Sequence, residues 1–303
     1  MRLDDDDFHQ ITLDDKKIFD DIYSRYPIEH SENTFGTLYC WRHYGHYEVA
    51  VIEGCLIIRG STDAYTSYRA PIGPKNPEVL DTVIDLAIAS GEQAPLLVLE
   101  PWQYEWIQQV HPELSFRPDR DFFDYVYKAG DLADLEGKPY LMIRKQLNRF
   151  RKKCPSTTEP VSEKNFDEVK EFLIRWCQYR ECDKYTILKH EKEALYEALN
   201  AFDELGFEGL AVKPRGEIGG LAIFEELNPQ TAVVHYEKGL PDCEGIYKEI
   251  NYQTAELLKN RYQYINRESD MGLPGLRESK ERYHPDHLAE LHYLEIHTPD
   301  HTG

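Results

Sequence analysis

The alternation of short apolar runs with amphipathic stretches is the sequence feature that most constrains the fold. In the second half of the chain, the runs at 208–212, 218–224 and 231–237 have the pattern of strands, whereas 245–260 repeats apolar residues at helical spacing. An Asn-Pro pair between the last two runs indicates a hairpin turn. Strands and helices mixed in this way predict an α/β architecture, of the α+β type, in which sheets are flanked by helices.

The rest of the chain follows a similar plan. Further strands are predicted at 36–41, 47–52, 56–59, 65–72, 96–100, 122–127, 262–265 and 288–294. Further helices are predicted at 14–26, 79–89, 102–110, 166–177, 191–205 and 275–282. Because 303 residues exceed the usual size of a single core, and because 128–138 contains two glycines, we expect two domains, 1–130 and 131–303.

The cysteine and histidine patterns argue against several kinds of site. The six cysteines include no Cys-x-x-Cys pair, and the twelve histidines include no His-Glu-x-x-His motif. We therefore expect no metal site and reduced thiols, without a dense disulfide framework. The chain also has no secretory signal pattern and no stretch of roughly 18 apolar residues. These patterns predict a cytoplasmic protein without a transmembrane segment.

One segment has a charge opposite to that of the whole chain. The net charge is −20, which disfavours general contact with nucleic acid. The segment 138–153 nevertheless contains seven basic residues and no acidic one. On a helix, Ile143, Leu147 and Phe150 would lie on one side and the basic residues on the other. We predict that this helix binds phosphate groups; the alternative is a solvated helix that pairs with the acidic surface.

Polar residues end the strand predicted at 231–237. Alternation places His235 and Glu237 on one face, and either side chain could deprotonate an attacking amine. Two glycines within the neighbouring strand, Gly219 and Gly220, indicate a bulge or the close approach of a ligand. The alternative is an ordinary strand end with solvated charges.

A second group of polar residues follows the strand predicted at 262–265. Asn266, Arg267, Glu268 and Asp270 provide donors, a fixed positive charge and two carboxylates at a strand end, where α/β sheets often bind ligands. Such a mixture suits an amino-acid-like group, which carries both an ammonium and a carboxyl-derived end. The alternative is a salt-bridged loop that supports the last strand.

Several nucleotide and hydrolase motifs are absent from the sequence. There is no Gly-x-x-x-x-Gly-Lys-Ser/Thr loop, no Gly-x-Gly-x-x-Gly fingerprint and no Gly-x-Ser-x-Gly elbow. Nucleotide hydrolysis, dinucleotide redox chemistry and serine hydrolysis therefore lose most of their support.

An ordered series of short motifs gives the chain a family resemblance. The series consists of Asp121-Phe122-Phe123-Asp124-Tyr125-Val126-Tyr127, Lys138-Pro139-Tyr140 before the basic helix, His235-Tyr236-Glu237-Lys238, Asn266-Arg267-Glu268-x-Asp270-x-Gly272 and Gly275-Leu276-Arg277-x-x-Lys280-x-x-Tyr283. In this order the motifs resemble the soluble family related to the C-terminal domain of phosphatidylglycerol lysyltransferases. The resemblance spans nearly the whole chain and is most specific over 121–285.

The resemblance implies two tandem acyltransferase-like (GNAT) domains, each a mixed, mostly antiparallel sheet flanked by helices. It also implies kinship with Fem-type transferases, which move an aminoacyl group from a charged tRNA to an amine or hydroxyl. The implied donor is therefore an aminoacyl-tRNA, and no tightly bound cofactor is implied. The second domain would carry both the basic helix and the transfer site.

Residue roles follow from the resemblance by position. The implied catalytic residues are His235, Glu237 and Asp270. The implied substrate-binding residues are Asn251, Asn266, Arg267, Glu268, Arg277 and Lys280. The residues implied to contact tRNA or another phosphate-rich donor are Arg144, Lys145, Arg149, Lys152 and Lys153.

Two departures from the related enzymes keep other functions open. The chain lacks the membrane-spanning half of the lipid-modifying enzymes, so the acceptor is expected to be either a lipid head group or a soluble small molecule. It also lacks the Arg/Gln-x-x-Gly-x-Gly/Ala loop of acetyltransferases that use CoA, and has 238–245 in its place. The alternatives to aminoacyl transfer are N-acetylation of a small amine from acetyl-CoA and a non-catalytic GNAT-like protein that binds a metabolite or partner.

Overall fold

The computed structural model describes residues 3–62 and 65–295. The strands are β1 (His9–Gln10), β2 (Glu48–Ile52), β3 (Cys55–Ser61), β4 (Thr66–Arg69), β5 (Leu96–Val98), β6 (Phe116–Pro118), β7 (Asp124–Lys128), β8 (Ser156–Pro160), β9 (Glu208–Pro214), β10 (Gly220–Asn228), β11 (Thr231–Gly239), β12 (Tyr264–Asn266), β13 (His287–Ala289) and β14 (His292–Leu294). The helices are α1 (Lys16–Arg25), α2 (Phe35–Cys40), α3 (Arg42–Gly45), α4 (Pro77–Ala89), α5 (Pro101–Val110), α6 (Ala129–Asp134), α7 (Leu141–Lys153), α8 (Phe166–Arg180), α9 (Thr186–Asn200), α10 (Phe202–Leu205), α11 (Ile246–Leu258) and α12 (Pro274–Glu281). In the described part, no helix is both long and apolar enough to span a lipid bilayer.

The chain divides into two compact units, each with its own sheet. The first unit extends to Phe123 and resumes at Ala289, and the second is Asp124–Leu288. The division therefore lies before the predicted boundary at 130/131, because β7 pairs with β12 in the second sheet. The C-terminal segment joins the first unit, because β14 pairs with β5 and β6.

The sheet of the first unit has the strand order β1-β2-β3-β4-β5-β14-β6. β4 and β5 run parallel, and the other neighbours are antiparallel. One face packs against α4 and α5, where Tyr68 and Leu96 of the strands join Val83 and Ile107 of the helices in a buried core.

The sheet of the second unit has the order β13-β7-β12-β11-β10-β9-β8. β11 and β12 run parallel, whereas β7–β12, β10–β11, β9–β10 and β8–β9 are antiparallel. Helices α6, α7 and α11 cover one face, with Phe150 and Ile250 buried against Phe224 and Val234. Two mixed, mostly antiparallel sheets flanked by helices confirm the predicted fold class.

Two of the predicted strands are wrong. Segment 36–41 is the helix α2, because the Thr34 side chain accepts a hydrogen bond from the Thr37 amide at 3.0 Å and caps the first turn. The strand predicted at 288–294 is divided into β13 and β14, which belong to different sheets. A short apolar run fits a buried strand or a buried helical turn equally well, so pattern alone did not distinguish them.

A disulfide joins Cys154 and Cys243, whose Cα atoms are 6.1 Å apart. It connects the end of α7 to the loop before α11. The prediction of reduced thiols is therefore wrong for this pair, whereas Cys55, Cys177 and Cys182 are buried and form no disulfide. The two bonded cysteines are separated by 89 positions, so no spacing motif could have indicated their pairing.

We expect the double variant Cys154→Ser/Cys243→Ser to lower the free energy of unfolding by about 2–5 kcal/mol, because a bond across a long loop restricts the unfolded chain. Urea denaturation with and without dithiothreitol measures the effect. The wild type should lose stability on reduction, and the double variant should not respond. Six reactive thiols in untreated, denatured wild-type protein would contradict the disulfide.

Candidate functional site

The parallel pair β11–β12 positions the candidate site. The two strands pair from Thr231 and Tyr264 to Val233 and Asn266. β12 then ends, whereas β11 continues to Gly239 beside β10. Polar side chains from the last part of β11, from the loop after β12 and from α11 and α12 therefore meet at the carboxyl end of this pair, as α/β sheets often arrange ligand sites.

A β-bulge at His235 determines which side chains share a face of the sheet. The two residues that flank His235 pair with consecutive residues of β10, so His235 itself has no residue opposite. The bulge breaks the alternation from which His235 and Glu237 were predicted to share a face, and that prediction is wrong. Glu237 lies opposite Ala222 on the face covered by α11, whereas His235 contacts Glu225 on the other face.

Of the two glycines predicted in the neighbouring strand, Gly220 allows a helix to approach, whereas a Cβ atom at Gly219 would lie 2.6 Å from the Pro214 side chain. A Cβ atom at Gly220 would lie 2.7 Å from the side chain of Ile250 in α11. Glycine at this position therefore lets α11 pack closely on the sheet, which fixes the position of Asn251, the next residue of that helix.

His235 lies between two carboxylates. Its Nδ1 is 2.8 Å from Glu268 and its Nε2 is 2.8 Å from Glu225, and its side chain is only 4% exposed. Burial alone would lower the imidazole pKa, but the hydrogen bonds to Glu225 and Glu268 outweigh burial and raise the pKa to about 10. An imidazolium that donates from both nitrogens has no lone pair for a substrate proton at neutral pH. This geometry does not suit the general-base role predicted for His235.

We expect the stability difference between the wild type and His235→Gln to shrink as pH rises from about 6.5 to 10. The folded pKa of His235 lies above the ordinary imidazole pKa of about 6.5, so its proton stabilises the folded state fully below the ordinary value and is lost toward 10. Burial raises the pKa of Glu268, whereas the hydrogen bond to His235 and the charge of His235 act in the opposite direction. Urea denaturation of both proteins at several pH values measures the difference. A difference that stays constant over this range would contradict the charged state of His235.

Arg267 is a buried, fixed cation on the α11 side of the sheet. It donates to Glu237, and Asn251, with its side-chain oxygen turned toward Arg267, accepts from Nη1 at 2.9 Å and from Nε at 3.1 Å. The rings of Tyr127 and Tyr283 lie 5.7 and 5.1 Å from the guanidinium. The Arg267 side chain is 13% exposed. These contacts hold a positive charge in one place and orientation.

Glu237 has a carboxylate oxygen available for a ligand. Arg267 holds Oε2, whereas Oε1 is buried and has no hydrogen-bond partner among the described residues. Buried polar atoms in folded proteins are nearly always paired, so a donor from a bound substrate would complete this site. A carboxylate oxygen of this kind can also accept a proton during a reaction.

Two lysines lie close to this charge pair. Lys280 of α12 donates to the carbonyl groups of Arg267 and Glu268, the latter at 3.0 Å, and is 8% exposed. Burial and the charge of Arg267 lower the pKa of Lys280 to about 8. Burial and Arg267 also lower the pKa of Lys248 in α11. The site therefore concentrates positive charge around one carboxylate.

Asp270 orders the loop after β12. It accepts hydrogen bonds from Nε and Nη2 of Arg277 at 2.8 Å, from the Tyr125 hydroxyl at 2.6 Å and from the Gly272 amide at 2.9 Å. Burial alone would raise its pKa, but these hydrogen bonds lower the pKa to about 2. Both of its oxygens accept hydrogen bonds, and this geometry does not suit the catalytic role predicted for Asp270.

Asn266 holds the start of the same loop through side-chain hydrogen bonds. Its side chain donates to Asp124 at 2.8 Å and accepts from the Glu268 amide at 2.7 Å. This contact supports the left-handed backbone of Glu268, whose φ is 59°. Asn266 and Arg277 therefore act on the site through the loop that carries Arg267 and Glu268.

The basic helix α7 begins at Leu141, and Ile143, Leu147 and Phe150 are buried as predicted. Lys145 and Lys152 are exposed and have no ion-pair partner in the described part of the chain. Their charges are therefore available to a polyanion.

The other predicted phosphate-binding residues of α7 have protein partners. Arg149 and Lys153 lie 3.4 and 4.0 Å from Glu244, with all three side chains exposed. Arg144 is half-buried and donates to the carbonyl of Leu135. The counter-charge interpretation of the helix therefore applies to part of it, and ion pairs this exposed are weak enough for a phosphate to displace.

Several residues of this region were not predicted. They are Glu225, Tyr125, Tyr127, Lys248 and Tyr283. An acidic residue within an apolar strand was an available signal for Glu225. Tyr125 and Tyr127 alternate along β7 and so share a face. Nothing local indicated Lys248, because tertiary packing brings it to Arg267. Tyr283 follows Lys280 by three residues in the last motif of the family series, but no site role was predicted for it.

Comparisons with known proteins agree with this fold. The family described as "Phosphatidylglycerol lysyltransferase, C-terminal" matches residues 23–294. No curated protein matches the sequence. Among solved structures, a conserved protein of unknown function from Bacteroides thetaiotaomicron is 29% identical with a TM-score of 0.86, covering 96% of this chain and 99% of that one.

Two further solved structures share the fold at low identity. The C-terminal domain of a protein from Agrobacterium fabrum, described as a lysylphosphatidylglycerol synthetase, is 14% identical with a TM-score of 0.66, covering 94% of this chain and 92% of that one. L-PGS from Bacillus licheniformis is 13% identical with a TM-score of 0.64, covering 94% and 93%. These structures share the two-sheet fold, and the family match over most of the chain shows that it belongs to the phosphatidylglycerol lysyltransferase C-terminal family.

Proposed function

We propose that this protein is an aminoacyltransferase, which moves an aminoacyl group from a charged tRNA to an amine or hydroxyl acceptor. The observation that carries the proposal is the buried Oε1 atom of Glu237, which lacks a partner and lies beside the cations Arg267 and Lys280. Family membership supports a transferase, and the relatives named for lysylphosphatidylglycerol synthesis favour an aminoacyl donor.

The reaction does not require a covalent bond between the protein and the substrate, because the ester of an aminoacyl-tRNA is already activated. The acceptor nitrogen or oxygen attacks the ester carbonyl carbon and gives its proton to Glu237. A C–N or C–O bond forms, the bond from the carbonyl carbon to the ribose oxygen breaks, and that oxygen takes the proton. Arg267 and Lys280 would stabilise the negative charge that develops on the carbonyl oxygen.

The segment between β11 and α11 favours an aminoacyl donor over acetyl-CoA. A disulfide fixes this segment at Cys243, and a Cβ atom at Gly245 would lie 3.1 Å from Phe150 of α7. A segment that is anchored at these two points and lacks the acetyltransferase loop sequence does not favour pyrophosphate binding.

Exposed lysines on α7 provide a test of the donor. We expect Lys145→Glu/Lys152→Glu to abolish binding of tRNA at low salt, because it reverses two charges of α7 that have no ion-pair partner among residues 3–62 and 65–295. The matched control is Lys164→Glu/Lys189→Glu, which makes the same charge change at exposed positions of the same unit. Fluorescence anisotropy with labelled tRNA over a salt series measures both.

The donor assignment fails if the wild type binds no tRNA at low salt, or if both double variants lose binding equally. Transfer itself is measured with radiolabelled lysyl-tRNA and phosphatidylglycerol vesicles. Radioactivity in the lipid extract supports a lipid acceptor. In a parallel reaction with a soluble amine or alcohol, transfer of the radiolabel to that compound supports a soluble acceptor. Turnover with acetyl-CoA alone would favour N-acetylation instead.

A further inference from the structure

The first unit contains a pocket of about 590 Å³ beside the face of its sheet that lies away from α4 and α5. Arg69 of β4, Leu97 of β5 and Tyr293 of β14 line this pocket. Tyr68 and Leu96, which precede two of them in the strands, belong instead to the core against α4 and α5. Strand alternation therefore places Arg69, Leu97 and Tyr293 on the face away from α4 and α5, where they line a cavity with a volume typical of small-molecule sites.

Aromatic rings form much of the pocket wall. They belong to Tyr47, Tyr65, Phe122 and Tyr293. Tyr47 is held between two glycines, because a Cβ atom at Gly45 or Gly60 would lie 2.6 or 2.8 Å from its ring. Burial raises the pKa of Tyr47 to about 12, so this ring stays neutral. The wall is thus a fixed aromatic surface.

The guanidinium groups of the pocket already have partners. Arg69 donates to Asn33 at 3.0 Å and to the carbonyl of Glu32, whose carboxylate is 3.5 Å away. Arg117 lies 4.0 Å from Glu295. The buried Arg69 guanidinium is therefore held by its partners, whereas the exposed pair of Arg117 and Glu295 is weak.

Asp119 is the pocket carboxylate that forms no ion pair with an arginine of the described residues, unlike Glu32 and Glu295. It accepts a hydrogen bond from the Asp121 amide at 3.3 Å, and no cationic group of the described residues lies within 4.0 Å of it. A carboxylate among neutral aromatic rings is the environment that binds an organic cation, since ring faces and the carboxylate both attract positive charge.

We propose that this pocket binds a small organic ammonium ion with an apolar body. The ammonium group pairs with Asp119, and the apolar body packs on the tyrosines. This site is additional to the transfer site of the second unit and does not depend on the proposed aminoacyl transfer.

Calorimetric titration of the full chain tests the proposal with phenethylamine, tyramine and choline. Two matched probes, 2-phenylethanol and 3-phenylpropionate, keep the apolar body of phenethylamine but replace its ammonium group with a hydroxyl or a carboxylate. We expect phenethylamine to bind at least about tenfold more tightly than either matched probe. Asp119→Asn should weaken that binding about tenfold or more, whereas Glu105→Gln, which removes an exposed carboxylate of α5 outside the pocket, should leave it unchanged.

Tyr293→Ala provides a second variant, which should weaken all three ammonium probes by removing an aromatic wall. Melting temperatures of the variants verify that they fold. The proposal is overturned if none of the ammonium probes binds at millimolar concentration, if the alcohol binds as well as the amine, or if Asp119→Asn and Glu105→Gln bind phenethylamine equally.

Discussion

Replacing Arg267 with Met is expected to lower the free energy of unfolding by about 3–5 kcal/mol, because it leaves a buried carboxylate without its counter-charge. Arg267 and Glu237 are 13% and 16% exposed, so water compensates the remaining charge poorly. The substitution also removes the donors to Asn251 and the cation between Tyr127 and Tyr283. Urea denaturation monitored by circular dichroism measures the change.

A double-mutant cycle separates the charge effect from lost packing. Combining Arg267→Met with Glu237→Gln removes both charges, so the double variant should be more stable than Arg267→Met alone. Arg282→Met is a suitable control, since Arg282 pairs with Glu278 at a surface position where both side chains are largely exposed. The free energy of unfolding of Arg267→Met should differ from that of the wild type by more than about 0.5 kcal/mol, the range of surface substitutions. A smaller difference would show that the ion pair does not stabilise the site.

Much of the fold was predictable, because periodicity reports which residues face a core. The stripe of α11 and the strands β9, β10 and β11 appear where their apolar residues indicate. Prediction failed where a local contact outweighed the pattern, as when the Thr34 cap made residues 35–40 helical. It also failed at β8, where the sequence Ser156–Pro160 is polar and the strand forms only by pairing with β9.

The candidate site shows a similar limit. The residues of the loop after β12 were predicted because polar groups cluster at a strand end, and the structure does bring them together. The role of each residue was not predictable, because the extra residue at His235 exchanges the sheet faces on which the following side chains of β11 lie. Sequence alone also does not reveal whether a carboxylate has all its hydrogen-bond partners. Asp270 and Glu237 are both acidic, but of these two only Glu237 has an oxygen without a partner among the described residues. The candidate base therefore follows from hydrogen-bond geometry.

We expect Glu237→Gln to lower the single-turnover rate of aminoacyl transfer by about 10²–10⁴-fold, the usual effect of losing a general base. The amide preserves the shape of the side chain and an oxygen for Arg267, but it accepts no proton. Affinity for tRNA should not change, since Glu237 is buried in the site and α7 carries the exposed cations. Rapid-quench measurement of the labelled product, with tRNA anisotropy in parallel, measures both quantities.

His235→Gln is the control variant with which the transfer rate of Glu237→Gln is compared. His235 is another ionisable residue of the same strand end, but the bulge places it on the opposite face of the sheet. Its replacement should lower stability, while the transfer rate per folded molecule falls by less than about tenfold. Equal losses of rate in both variants would indicate general damage to the strand end and would contradict a base at Glu237. A wild-type rate in Glu237→Gln would move the base elsewhere, with Lys280 next to examine, because its pKa of about 8 leaves part of its amine neutral near physiological pH.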